Sequence, residues 1–505
     1  MENTNQPLPF DDPGFPPPKI PASPVFPARK REFLFALGLL IIGCLLCNSV
    51  FYGGFHLGFA LFASAAIICS AAYLFSSGCK PTAYTLTLLI LSLVITAAFA
   101  RSDDGFVKFV LLCFLILSVN LSLCLLAGQN RRSPKGILSL LDVPRTVFVL
   151  GISKMAPAFR GLRKGFQESG DASKKGGAVA LGLLLSLPLL GIVISLLISA
   201  DAAFDALLQK LPDWDLQEIL CSVIFGVLLA GFLYVRGAAL RHDPKTSPDT
   251  HERKGMNPLT VNTVLIAIGL VYLVYLVSQL AYFSGGFLGI LPEGYTMAEY
   301  ARRGFFEMAW LCAINLGIIA LAIGLTSAKS AAPKLTKWIC LFLCLVTLFL
   351  VVSASAKMFL YIDSFGLTRL RVLTEVIMIW LGLSAVIVCI WLFTPKLPYM
   401  KLVLVPALVM GAAVAWADVD TVVARYNVTA YESGRLETVD VGYLGTLGSG
   451  ATPYIQKLTT AKDPQVADSA KSHMMCREYI EVQDIRDWNF ADYTSDSIFF
   501  PTGKQ

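Results

Sequence analysis

Residues 292–307 read PEGYTMAEYARRGFFE. They stand between two long apolar runs and place Glu299, Arg302, Arg303 and Glu307 where the second run begins. A hydrocarbon core about 30 Å thick is crossed by about 20 apolar residues of helix, and the run from about 305 to 326 meets that length. Outward from this boundary the pattern recurs. Candidate spans fall at about 33–52, 56–75, 82–100, 106–127, 178–200, 216–236, 259–283, 305–326, 335–355, 372–393 and 399–417. The fold class expected is all-α, a polytopic transmembrane bundle of about eleven spans.

Composition agrees. The 505 residues are 55% hydrophobic and only 15% charged, with a mean hydropathy of +0.65, outside the range of water-soluble domains. The formal charge of +6 is small, so its placement carries the information. With the N-terminus inside, the inner segments hold 25 of the 41 Lys and Arg. By the positive-inside rule this predicts a cytoplasmic N-terminus and an extracytoplasmic C-terminus. The setting expected is the inner membrane of a bacterial envelope, with no cleavable signal peptide.

Five regions follow. Residues 1–32 are proline-rich and cannot bury a core, so a disordered cytoplasmic tail is expected. Residues 33–127 hold four spans and 178–417 the remaining seven. Between them, 128–177 carries ten basic residues against three acidic, and Ile137 to Phe166 mixes these with apolar side chains, as helices in a headgroup layer do. That loop reads either as a basic anchor that sets topology or as a lipid-recognition element. A short interfacial helix is expected at Ala202 to Leu211. Residues 418–505 are polar and turn-rich, a small appendage on the bundle, with a helix within Asp463 to Gln483 and turns around a short helix at Gly442 to Gly450.

Several stretches resemble the bacterial membrane-protein family known as domain of unknown function 4173, related to the 4153 group. They are Ser199 to Phe204, Thr296 to Glu307, Gly366-Leu-Thr-Arg-Leu-Arg371, Ala424-Arg-Tyr-Asn427, Leu436 to Leu447 with its Asp440-Val-Gly-Tyr-Leu444 core, and Asp487-Trp-Asn489. The resemblance implies an integral membrane protein with these motifs outside, and supplies no reaction. A second acidic residue belongs in the Asp440 stretch of that family, and this chain has Gly442 there.

Familiar catalytic signatures are missing: no Walker-type loop, no His-Glu-x-x-His, no Gly-x-Ser-x-Gly. No catalytic residue, metal site or cofactor is assigned. Cys340 and Cys344 are four apart on a helix, but buried cysteines there read as small apolar packing groups. Eleven of twelve cysteines lie in or beside apolar runs and Cys476 stands alone, so no disulfide framework is expected. Ser353 and Ser355 lie close to Lys357 without making a hydrolytic pair.

The remaining candidates are charges at the expected outer face. Arg302, Arg303, Lys357, Arg369 and Arg371 run against the positive-inside bias, and Arg presents a planar fork that suits phosphate or carboxylate. They form the expected anion-binding set. The competing reading has Glu299, Glu307, Asp363 and Glu375 neutralise them in an interhelical network. The role expected is an accessory, sensing or ligand-binding one, recognising an anionic lipid or solute. The partners expected are membrane lipids and a further membrane protein, with no nucleic acid. Transport or lipid translocation is the alternative, and an outward-facing membrane transferase or hydrolase a third.

Overall fold

A computed structural model describes residues 26–27, 29–101, 104–130, 140, 142–168, 216–243, 257–287, 305–325 and 334–475, with isolated positions in 182–200 and at 490 and 493. The described residues are helical, and no strand occurs among them. The helices are α1 (Lys30–Gly53), α2 (Leu57–Ser76), α3 (Ala83–Ala98) and α4 (Gly105–Ala127). After short helical segments at Asp142–Pro144, Arg145–Val149 (a π-helix) and Leu150–Ser153 come α5 (Met155–Glu168), α6 (Leu216–His242), α7 (Pro258–Phe287), α8 (Phe305–Leu325), α9 (Lys334–Phe365), α10 (Arg369–Phe393) and α11 (Tyr399–Ala417). Four smaller helices follow: α12 (Val419–Glu432), α13 (Val441–Gly445), α14 (Thr452–Leu458) and α15 (Pro464–Met475).

Eight of the described helices are long and apolar enough to cross a membrane, and Ala83–Ala98 and Glu307–Ile323 are shorter apolar segments. Large apolar side chains face outward along them, among them Leu228, Val274, Trp310 and Val352. A helix apolar on all sides suits lipid around it, since every backbone polar group is bonded within the helix. The protein is a multi-pass helical bundle. The expected fifth span and the helix at 202–211 lie mostly or wholly outside the described residues.

Packing groups the helices differently from their order along the chain. α1 to α4, α6 and α11 share one apolar core, with Leu39, Leu88, Ile95, Leu111, Val235 and Leu408 buried in it. α1 and α6 run antiparallel: Glu32 Oε1 meets His242 Nε2 at 3.3 Å at one end, and Asn48 Nδ2 donates to Glu218 Oε1 at 2.5 Å at the other. Their axes approach through Gly43 and Gly226, where a Cβ on Gly43 would stand 2.7 Å from the Gly226 carbonyl. Small residues are what allow such closeness where lipid offers no hydrophobic drive. α7 to α10 form a second core around Leu265, Cys312, Leu343, Cys344 and Met378. Inside it Tyr272 Oη donates to Asn315 Oδ1 at 2.7 Å, and Asn315 Nδ2 donates to Thr347 Oγ1 at 3.2 Å. Asn315 is thus a bonded interhelical group.

α12 to α15 form a third core, built on Val423, Leu444, Ala451, Ile455 and Ala470. It closes over the end of the bundle at which α4 and α10 begin and α11 stops. The opposite end gathers Lys30, Arg31, Lys154, Lys334, Lys337 and Lys401. Of the helices expected in the polar C-terminal region, Pro464–Met475 and Val441–Gly445 are present; residues 476–489 lie outside the described residues.

Asp418 is the hinge between α11 and α12. It takes φ 54°, a region a non-glycine residue enters at a cost, and only 5% of it is exposed. Its carboxylate accepts from Thr421 Oγ1 at 2.6 Å. Burial nonetheless raises its pKa above the ordinary carboxylate value, with the nearby Asp420 adding to the rise. A folded-state pKa above the unfolded one means the native state holds the proton more tightly. Stability is therefore lost as pH rises from the unfolded pKa through the folded one. Asp418→Asn, which removes the charge and tolerates positive φ better, is expected to raise the melting temperature at neutral pH. That gain should vanish below the unfolded pKa; a gain independent of pH would sink the burial argument.

Candidate functional site

The site lies where the three cores meet, and it is built from chain ends rather than helix middles. Asp104 caps α4, accepting from Val107 N at 2.7 Å. Thr368 caps α10, accepting from Arg371 N at 3.4 Å. Asp440 caps α13, accepting from Tyr443 N at 2.8 Å. Each short polar side chain satisfies a backbone donor left open at a helix start, and together the caps fix three helix N-termini around one point.

Arg369 occupies that point. Its Nε donates to Asp420 Oδ1 at 2.8 Å and its Nη2 to Asp420 Oδ2 at 2.7 Å. This is the two-pronged geometry that a planar guanidinium provides and an ammonium does not. Asp104 Oδ2 lies 2.9 Å from the same Nε. The two aspartate side chains are almost buried, 6% exposed for Asp104 and 4% for Asp420, whereas Arg369 keeps 33%. Gly448 N adds a bond to Asp420 Oδ2 at 2.8 Å, and the Arg369 backbone N–H donates to Tyr443 Oη at 2.9 Å. One guanidinium thus ties α4, α10 and α12, while a tyrosine ties α13 to the same turn. Among the described residues, Nη1 of Arg369 has no bonding partner.

The turn before α10 is locked independently. Leu367 N donates to Asn427 Oδ1 at 2.6 Å, and Asn427 Nδ2 donates to Leu367 O at 2.8 Å. A side-chain amide mimics a strand edge here, so α12 holds the loop through both backbone groups of one residue.

A cleft of about 490 Å³ opens beside the ion pairs, lined by Asp104, Phe106, Thr368, Arg369, Leu370, Leu373, Tyr443, Thr446 and Leu447. Polar and apolar side chains share its lining. Phe106 and Leu370 are more than half exposed on its rim. Of the charged side chains described above, Asp104 and Arg369 line it directly, and Asp420 stands behind Arg369.

The expected site residues separate accordingly. Glu299, Arg302 and Arg303 lie outside the described residues. Glu307 and Asp363 are exposed, and Lys357 is half-buried on α9. Arg371 is two residues from Arg369 yet points elsewhere: its Nη1 donates to the carbonyls of Phe365, at 3.3 Å, and Gly366, and its guanidinium lies 4.0 Å from the Tyr361 ring centre. Residues two apart on a helix do not share a face. Glu375, four beyond Arg371, makes no ion pair with it; its Oε2 is buried without a hydrogen-bond partner. Gly382 against Val351 and Arg371 against Tyr361 set the register of α9 and α10, which brings Lys357 level with Glu375. Tyr443 belongs to the quoted Asp440 to Leu444 stretch; Asp104 is absent from the expected set, although an Asp directly before an apolar run is a helix-start signal. No group of three metal-ligating side chains occurs among the described residues.

The family model for a domain of unknown function, DUF4153, matches residues 86–458. The chain belongs to that family. No curated protein and no solved structure matches the chain. The 4153 group is the relative anticipated beside the 4173 label, and it is the 4153 model that matches. The DUF4153 region begins inside α3 and ends with α14, so it takes in Asp104, Arg369, Asp420, Asn427 and Tyr443 together. Two of the stretches quoted above, Gly366 to Arg371 and Ala424 to Asn427, touch each other through the Asn427–Leu367 bonds.

Proposed function

We propose that this DUF4153 protein is an accessory or sensing component of the cell envelope that holds the anionic headgroup of an amphiphile in the Arg369 cleft. The observation that carries the reading is the cleft's mixed lining, in which a partly exposed Arg369 stands among apolar side chains. Arg369, Tyr443, Thr368 and Thr446 supply its polar groups, and Phe106, Leu370, Leu373 and Leu447 its apolar ones. A headgroup with its acyl chain running down Phe106 and Leu370 fits that division, and a partly exposed guanidinium suits phosphate or carboxylate. Of the five cations in the expected anion-binding set, the proposal retains Arg369 as the contact.

The distribution of basic residues supports the orientation. Lys and Arg concentrate at the end opposite the cleft, and the positive-inside rule favours reading that end as cytoplasmic and the cleft as facing outward. Asp104 and Asp420 compete with the ligand for Arg369, since each ion pair lowers the positive potential the headgroup meets. Asp104→Asn is therefore expected to increase the anionic lipid retained by the protein extracted in its own bilayer and measured by native mass spectrometry. Arg369→Gln is expected to remove it. Equal retention of all headgroup types by wild type and both variants would contradict the proposal.

A further inference from the structure

A second lipid-contacting surface lies at the opposite end of the molecule, on α5 and the short helical segments before it. The segment is seated firmly. Leu150 and Ala158 are buried, Gly151 lies against the Phe232 ring of α6, and Gly161 lies against the Phe26 backbone. Lys154 Nζ pairs with Asp243 Oδ1 at 2.5 Å, and Phe26 N donates to Pro157 O at 3.4 Å. One side of the helix is thus committed to the protein.

The rest is not uniform. With about 3.6 residues per turn, α5 divides into three adjoining sectors. Pro157, Ala158, Gly161 and Gly165 face the bundle. Next to them, Met155 and Phe159 are 45% and 44% exposed, and the stripe continues back through Ile152 and Phe148, both 61% exposed. Met155 and Phe159, four apart, share one face of α5, and Ile152 and Phe148 expose apolar surface from the helical segments before it. Beyond that stripe come Arg163, Arg160 and Lys164, all exposed. Protein, oil and charge therefore follow in order around one helix.

We infer that this helix lies in the headgroup layer of the leaflet at the basic end of the bundle and preferentially gathers anionic phospholipid. A helix that packs sideways on a bundle and lies parallel to a membrane meets protein, acyl chains and headgroups in that same order. Phe148, Ile152, Met155 and Phe159 enter the acyl boundary, and Arg160, Arg163 and Lys164 meet phosphate. Charge complementarity fixes the occupant as an anionic leaflet, because each basic side chain near such a surface adds attraction. The site is distinct from the Arg369 cleft and does not depend on that reading.

The test uses the full chain reconstituted in phosphatidylcholine vesicles that contain a minority of either phosphatidylglycerol or further phosphatidylcholine brominated on its acyl chains. Phe159→Trp supplies the probe, read as the quenching added over the seven native tryptophans. Quenching by brominated phosphatidylglycerol is expected to be several-fold stronger than by brominated phosphatidylcholine. Adding Arg160→Gln, Arg163→Gln and Lys164→Gln should bring the two to the same level. These side chains are exposed, and an unchanged melting temperature checks that the fold is retained. Equal quenching before the three substitutions would reduce the helix to an unselective apolar anchor and overturn the inference. No added quenching by either lipid would place Phe159 outside the bilayer and overturn it as well.

Discussion

Arg369→Ala is expected to destabilise the protein by about 2–4 kcal/mol. The substitution leaves Asp104 and Asp420 almost buried with their counter-cation gone, and stranding a buried charge in this way costs about 3–5 kcal/mol. Partial exposure of the arginine moderates that figure. The loss should be local before it is global. Because the guanidinium joins α4, α10 and α12, the cap helices 418–475 should become protease-sensitive at temperatures where the spans remain intact. Arg369→Lys should recover little, since a single ammonium cannot reproduce the paired bonds to Asp420. A double-mutant cycle with Asp420→Ala separates the pair from its surroundings: the combined variant should lose clearly less than the sum of the two singles. Additive losses would show that the ion pair contributes nothing of its own.

The second large effect is expected at Gly366. This residue takes φ +73°, and a Cβ there would stand 2.5 Å from Asn427 Oδ1. Gly366→Ala therefore imposes left-handed strain of about 1–2 kcal/mol and pushes Asn427 away from Leu367. Each of the two Asn427 bonds is worth about 1 kcal/mol, so with the strain a total near 3–4 kcal/mol is expected. Thermal unfolding of the variant in detergent measures it. Asn427→Ala offers a comparison, because it removes the same two bonds without backbone strain and should fall short of Gly366→Ala by roughly that strain. If Gly366→Ala unfolds at the wild-type temperature, the turn before α10 is not held in the way described.

Much of this was readable in the chain and some was not, for definable reasons. The spans announce themselves because membrane helices must be apolar on all sides, so 335–355 or 399–417 needed no partner to be recognised. Arg369 stood out because a cation against the positive-inside bias requires compensation. Its partners did not. Asp104 is far away in sequence, and nothing in a local pattern says which acid reaches which base across a bundle. Arg371 looked equivalent to Arg369 because spacing along the chain was visible and the face of the helix was not: two residues turn the side chain away, toward Tyr361 and the loop carbonyls. Asn427 belonged to a quoted family stretch, but its role as a clamp on Leu367 emerges only when α12 folds back over α10. The amphipathic loop at 137–166 was legible as such, whereas its three-sector division depends on which side α6 covers.

Arg369 joins the three cores, and the proposed headgroup site depends on the guanidinium edge that it leaves unpaired. A cryo-electron-microscopy map of the full chain in nanodiscs of its native lipids tests this most directly. The expected result is Arg369 bridged to Asp104 and Asp420, with a phosphate- or carboxylate-sized density against its Nη1 between Phe106 and Tyr443. An Arg369 turned to water, with the cap helices seated by other contacts and the cleft holding no headgroup, would contradict the account.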